Sequence, residues 1–249
     1  MPPQRIISVV PSQTELLYDL GLDQEIVGIT KFCIHPAEKV KDKFKVGGTK
    51  TLHLDQIHDL KPDFILANKE ENTREQIEEL QRHYPVHVTD VNTVPDALAM
   101  IREVSELVGK GRKGEKLAKQ IEDTFYDFKS VQSSGHSVAY FIWRKPYMVA
   151  ANQTFIHSML ELAGFQNAFG GLTRYPEVTE TDLKTAQPDL IFLSSEPYPF
   201  SEKHRTELQE ICPAARVLLV DGELFSWYGS RLLKSADYIQ QLRQRLGLQ

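Results

Sequence analysis

Both tryptophans of the chain sit in short aromatic segments that also carry arginine: Trp143-Arg144-Lys145-Pro146-Tyr147 and Phe225-Ser226-Trp227-Tyr228-Gly229-Ser230-Arg231. Flat rings offer a large contact area at low entropic cost, and a guanidinium can fork onto a carboxylate or amide of a large polar ligand. The chemistry this predicts is non-covalent capture, with Trp143, Arg144, Tyr147, Phe225, Trp227, Tyr228 and Arg231 as candidate contacts. A second reading stays open at this point: Trp227 and Tyr228 cap a core, and Arg231 pairs with a nearby acid.

Three further places could contribute. Tyr175, in Tyr175-Pro176-Glu177, lies on a loop and offers another ring, or simply turn packing. Cys33 and His35 stand two apart in Phe32-Cys33-Ile34-His35-Pro36, just past an apolar run. Thiolate and imidazole suit a soft metal or the cobalt of a bound cofactor, so a metalloenzyme or metallochaperone completed by an acid such as Glu223 is one alternative. A buried thiol followed by a helix-entry histidine is the other. The acids Glu70, Glu71 and Glu180 follow strand-like runs or open helical stretches, where they would meet the positive end of a helix dipole. One carboxylate per lobe on a common face could also dock onto a cationic partner.

The elements that must position these residues alternate. Apolar runs at 6–10, 26–30, 64–67, 86–91, 138–143, 190–194 and 217–220 are separated by helical stretches, which predicts an α/β protein with mostly parallel sheets. An internal repeat organises them. Leu60-Lys61-Pro62-Asp63-Phe64-Ile65-Leu66 recurs as Ala186-Gln187-Pro188-Asp189-Leu190-Ile191-Phe192, each copy a helix end stopped by proline ahead of a strand. A second pair ends helices in Gly21 and Gly164, both suited to a left-handed cap. The expected organisation is therefore an α/β lobe over 1–109, a connecting backbone helix over 110–132 and a second α/β lobe over 133–249. The first lobe carries extra polar sequence around 31–50.

Gly109-Lys110-Gly111-Arg112-Lys113-Gly114 spells the dinucleotide fingerprint, but it follows a helix rather than a strand and reads as a corner. There is no phosphate-binding G-x-x-x-x-G-K-[ST] loop, no G-x-S-x-G elbow and no H-E-x-x-H pair. The net charge of -5 gives no general attraction for nucleic acid or anionic lipid. No window approaches the ~20 apolar residues of a membrane span, and the start of the chain reads as a strand rather than as an export signal. Two cysteines 179 positions apart predict free thiols.

With these residues in place, the chain resembles the class III substrate-binding proteins of ABC importers, those with a long helical backbone, and most closely the cobalamin-binding members. The resemblance is carried by Arg5-Ile6-Ile7-Ser8-Val9-Val10-Pro11-Ser12-Gln13-Thr14-Glu15, His35-Pro36, Leu60-Lys61-Pro62-Asp63, Tyr175-Pro176-Glu177-Val178-Thr179 and Gly229-Ser230-Arg231, and it spans nearly the whole chain. It implies two Rossmann-like lobes with parallel sheets joined by a long helix, and no enzymatic activity or intrinsic cofactor. It also implies capture of cobalamin, haem or a ferric siderophore in a cleft between the lobes and delivery to ABC permease subunits. His35 stands where the family presents a ligand-facing aromatic, Tyr175 matches a stacking tryptophan and Arg231 a cleft arginine. Thr49 departs from the pattern, occupying the place of a cleft tryptophan, and the docking glutamates match Glu70 or Glu71 and Glu180 only approximately. The resemblance further implies a monomer of the periplasm or cell envelope. A cytoplasmic scavenger of the same fold is the alternative that the start of the chain suggests.

Overall fold

The computed structural model describes residues 1–126, 128 and 134–248. The chain divides into two compact units. The first comprises Met1–Val91, Pro95–Glu122 and Trp227–Leu233, and the second Asn92–Val94, Asp123–Ser226 and Lys234–Gln249.

The first unit runs β1 (Ile6–Ser8), α1 (Pro11–Asp19), β2 (Ile26–Ile29), α2 (Ala37–Val40), β3 (Phe44–Lys45), β4 (Gly47–Gly48), β5 (Thr51–Leu52), α3 (Leu54–Leu60), β6 (Phe64–Asn68), α4 (Arg74–Gln81), β7 (Val86–Thr89), α5 (Val94–Leu107) and α6 (Gly111–Thr124). Its five-stranded sheet has the order β3-β2-β1-β6-β7, and every pairing is parallel. All three residues of β1 and all five of β6 are buried, as strands covered by helices on both faces require. One side of the sheet closes over Ile7, Val9, Ile57, Ile65, Ile77 and Leu80.

The second unit runs β8 (Ser137–Trp143), β9 (Met148–Val149), α7 (Phe155–Leu162), β10 (Gln166–Asn167), α8 (Glu180–Ala186), β11 (Leu190–Ser194), α9 (Glu202–Ile211), β12 (Arg216–Val220), α10 (Glu223–Ser226) and α11 (Leu232–Leu246). Parallel strands lie in the order β10-β8-β11-β12, with β9 antiparallel to β8. Its core includes Phe141, Phe169, Leu183, Ile191, Leu193 and Leu208.

The repeat has a structural meaning beyond a helix stop. Lys61 and Gln187, each directly before its proline, take left-handed conformations at φ 47° and 44° and form the helix C-caps. The following aspartate then fastens the start of the neighbouring strand. Asp63 accepts the amides of Gln4 and Arg5 at 2.8 Å each ahead of β1. Asp189 accepts the amide and hydroxyl of Ser137 at 2.8 and 2.9 Å at the start of β8. Those bonds from Ser137 hold the Asp189 carboxyl below its ordinary range. The two helix-ending glycines adopt φ +82° at Gly21 and +77° at Gly164.

Two aspects of the division reflect packing that local pattern does not carry. First, all but the first residue of α5 and all but the last two residues of α6 pack with the first unit. A Cβ on Gly114 would come within 1.7 Å of Ser105 Oγ, so the two helices touch through that glycine. The sequence Gly109 to Gly114 is thus a helix-to-helix corner with a close crossing. Second, Trp227–Leu233, late in the chain, also belongs to the first unit. Of the expected 110–132 helix, α6 accounts for Gly111–Thr124, while 127 and 129–132 lie outside the described residues. Among the described residues no helix is long and apolar enough to cross a membrane.

Candidate ligand-binding site

Position beyond the strand ends is what the sheet of the first unit supplies. The chain leaves β1 into α1 and leaves β2 into Thr30 through Pro36, both on the edge where doubly wound sheets receive ligands. Against this edge lies the late segment Trp227–Leu233, seated on α1: a Cβ on Gly229 would meet the Ser12 carbonyl at 3.1 Å, and the glycine's φ of +154° suits few other residues.

Arg231 is fixed by this seating. Its Nε and one terminal nitrogen each donate to Glu15 at 2.8 Å, a bidentate pair whose side chains are only 8% and 9% exposed. The guanidinium also lies over the Trp227 ring, 4.8 Å from its centroid. His35 meets the same indole edge-on, with centroids 5.5 Å apart at 74°. A line Glu15–Arg231–Trp227–His35 results, running from a buried acid to a half-buried imidazole on the β2–α2 loop.

This line corrects two sequence expectations. Arg231 spends its fork on Glu15, so it supports the indole rather than offering a free fork to a ligand. Trp227 is 6% exposed and Tyr228 is also buried, so the outermost aromatic group of the line is His35. The open reading in which Arg231 pairs with an acid is the one the geometry realises.

The remaining candidates belong to the second unit. Trp143 is 40% exposed, its indole N–H donating to the Lys145 carbonyl at 3.2 Å and its ring edge-on to Tyr198 at 5.6 Å. Arg144 does not project freely: Nε and a terminal nitrogen donate to Glu207 at 3.0 and 2.6 Å. The Tyr147 hydroxyl donates to the same carboxylate. Burial pushes the Glu207 carboxyl up, but these donors and the Arg144 charge hold it below its ordinary value, while burial and the neighbouring carboxylate push the Tyr147 phenol well up. Arg144 and Tyr147 thus brace α9 in addition to any contact they make. Phe225 is a core ring at 0% exposure, packed with Tyr140, Phe192 and Tyr238, and presents no face to a ligand. Tyr175 is half-buried beside the Arg174 guanidinium.

Cys33 is buried between two hydroxyls, its sulfur 3.1 Å from Thr14 Oγ1 and 3.2 Å from Thr30 Oγ1, and burial pushes the thiol up, away from the thiolate a metal needs. Among the described residues no three His, Cys, Asp or Glu side chains are grouped to hold a metal ion, and Glu223 belongs to the second unit. The Cys33/His35 metal alternative therefore lacks a ready donor set.

Glu70 and Glu71 are half-buried in the turn after β6, ahead of α4 rather than in its first turn. Asn68 Oδ1 accepts both their amides, at 2.8 and 3.1 Å. Glu180 is the exposed first residue of α8, 3.7 Å from Lys184. Thr49 is buried, its carbonyl accepting from Asn72 at 3.0 Å.

Sequence reasoning missed four participants. Glu15 is hidden by its separation from Arg231, 216 positions. Tyr198, Phe200 and His204 pack beside Trp143 in a mutual aromatic group. His204 could have been noticed at the third position after Ser201, where its Nδ1 accepts the Ser201 amide at 3.0 Å as a capping residue.

Comparison with known proteins gives concordant results. Residues 6–212 match the family described as periplasmic binding protein. The vitamin B12-binding protein of Vibrio campbellii is 27% identical over 197 residues, spanning 78% of this chain and 71% of that protein. An uncharacterized ABC transporter substrate-binding lipoprotein, YvrC of Bacillus subtilis, is 26% identical over 254 residues, spanning 96% and 79%. The crystal structure of the periplasmic vitamin B12-binding protein BtuF of Vibrio cholerae aligns with a TM-score of 0.85 at 22% identity, covering 100% of this chain and 99% of that one.

Proposed function

The chain belongs to the periplasmic binding protein family, and on that premise we propose that it captures cobalamin or a closely related metal chelate for delivery to the permease of an ABC importer. It is a binding protein and not an enzyme. The observation that carries the ligand reading is the braced indole of the first unit. A buried, bidentate Glu15–Arg231 pair fixes Trp227, and His35 lies at its edge on the loop beyond β2. Such bracing costs a ligand little ordering entropy on binding. The vitamin B12-binding relative supports a corrinoid over other chelates. In this reading His35 and the edge of Trp227 are the contacts that the first unit makes with the ligand.

Delivery rests on the acids. Glu70, Glu71 and Glu180 are the residues proposed to meet cationic sites on the permease, consistent with a relative described as an ABC transporter substrate-binding lipoprotein. The working form in this reading is a monomer in the cell envelope.

Titration with aquocobalamin and, separately, with haemin tests the ligand. The expected result is saturable, one-to-one quenching of tryptophan emission with a matching change in visible absorbance for aquocobalamin. Saturation by haemin alone would assign the site to a porphyrin, and saturation by neither would refute the reading.

A further inference from the structure

The loop between β11 and α9 is closed around one imidazole. His204, only 3% exposed, lies in the first turn of α9. Its Nδ1 accepts the Ser201 amide at 3.0 Å, and the Ser201 hydroxyl lies 3.2 Å from the same nitrogen. A backbone amide can only donate, so the neutral ring carries its proton on Nε2, which faces the Tyr198 hydroxyl at 3.3 Å. The imidazole also meets the rings of Tyr198 and Phe200 edge-on, with centroids 5.4 and 5.6 Å apart. Tyr198 in turn lies edge-on to Phe200 at 4.8 Å and to the exposed Trp143 at 5.6 Å. Both nitrogens of His204 thus tie the loop to α9, and the loop holds a ring against Trp143.

We propose that His204 is a pH-sensitive clasp, in which uptake of a proton at Nδ1 opens the Tyr198–Ser201 loop and withdraws Tyr198 from Trp143. The proposal concerns the second unit alone and does not rest on the ligand read above. A proton on Nδ1 would point at the Ser201 N–H, setting two donors against each other. The Ser201 hydroxyl can turn to accept it, but the amide cannot, and a buried donor left without an acceptor is costly. The surrounding charges act in the same direction. Lys203 on α9 and Arg144 from the β8–β9 turn repel an imidazolium, and Glu207, which attracts one, is already engaged by Arg144 and by the Tyr147 hydroxyl. Burial and the two cations hold the His204 pKa below its ordinary value. In the open loop water reaches the ring and that value returns to about 6.5. The closed form is therefore fully favoured above about 6.5 and loses that advantage as the pH falls through the folded value. Opening takes up one proton, so between the two values the opening equilibrium should rise about tenfold per pH unit.

Hydrogen exchange of the full chain, read by mass spectrometry from pH 7.5 to 5.5 and corrected for the intrinsic pH dependence of exchange, tests this. Segment 198–205 of the wild type should open more readily by about tenfold per pH unit below about 6.5, while strand β11 keeps its protection. His204→Gln keeps an acceptor at the capping position that does not titrate and should remove the slope. Lys203→Glu, at an exposed position, replaces a repelling charge with an attracting one and should move the onset toward neutral pH. A wild-type segment without the slope overturns the clasp. So does a slope that β11 shares, which would mean opening of the whole unit rather than of the loop. A slope that persists in a folded His204→Gln variant, or an onset unmoved by Lys203→Glu, assigns the titration to another group and overturns it equally. The wild-type and Lys203→Glu measurements decide the matter even where His204→Gln fails to fold.

Discussion

Cutting the Glu15–Arg231 pair at one end should cost far more than removing it whole. Both side chains are less than a tenth exposed and meet through two 2.8 Å bonds. Arg231→Ala leaves a carboxylate buried without its counterion, and Glu15→Ala leaves a guanidinium in the same state. Each cut is expected to destabilise by about 3–5 kcal/mol, whereas replacing a buried pair with apolar residues of similar volume is often neutral or stabilising. The double variant Glu15→Leu with Arg231→Met should therefore unfold close to wild type. For a chain of this size 1 kcal/mol moves the melting temperature by about 2–4 °C, so each single variant should melt roughly 6–20 °C lower, and the double-variant cycle should show strong coupling. Scanning calorimetry of the four proteins gives the energies. The same series in a Trp143→Phe background lets emission report on Trp227 alone, the other tryptophan of the chain, and losing the guanidinium 4.8 Å from its centroid should alter that emission. Single variants melting within about 2 °C of wild type would mean that water screens the pair as it does a surface salt bridge, and the account of a braced indole would fail.

Three further outcomes follow from the packing. Gly114→Ala should destabilise by about 1–3 kcal/mol, because its Cβ would overlap Ser105 Oγ at 1.7 Å; denaturant unfolding reads this, and an unchanged midpoint would show that α5 and α6 separate easily. Burial, with Lys203 and Arg144 nearby, depresses the His204 pKa, and neutral Nδ1 is what accepts the Ser201 amide. A group with a depressed folded pKa stabilises above its unfolded value of about 6.5 and loses that contribution as pH falls through the folded value. Stability measured from pH 7.5 to 5 should fall accordingly, and His204→Gln, a favourable residue at this capping position, should flatten that slope. Cys33, buried and with its thiol pushed up, should react with a thiol reagent only as fast as the chain opens; prompt labelling in the folded state would contradict the position assigned to it.

The scaffold was largely legible because its signals are local. Each of the seven strand-like runs overlaps a strand of the structure, and β1, β6 and β11 are buried throughout, as parallel strands covered on both faces with continuous apolar sequence should be. Gly21 and Gly164 announce their left-handed caps by having no Cβ. What Asp63 and Asp189 do was not legible. The residues they fasten lie more than 50 positions away, and an aspartate after proline reads locally as nothing more than a turn. Lys61 and Gln187 are similarly silent, because neither residue type signals a positive φ.

The site divides by the same logic. Aromatics beside arginine mark a place where something large and flat is held, but they leave open whether that object is a ligand or the protein itself. At Arg231 the protein supplies the partner: a guanidinium this far from solvent is costly without an anion, and Glu15 on α1 provides one from 216 positions away. That pairing braces the indole, whose edge meets the imidazole of the neighbouring loop. There His35 is half-buried, and the only residue between exposed Phe32 and exposed Ile34 points inward. The segment Phe32-Cys33-Ile34-His35 invites reading as a pair of metal donors, yet burial sorts it differently. The thiol serves the fold between two threonines, and the imidazole two positions on meets the braced indole edge-on.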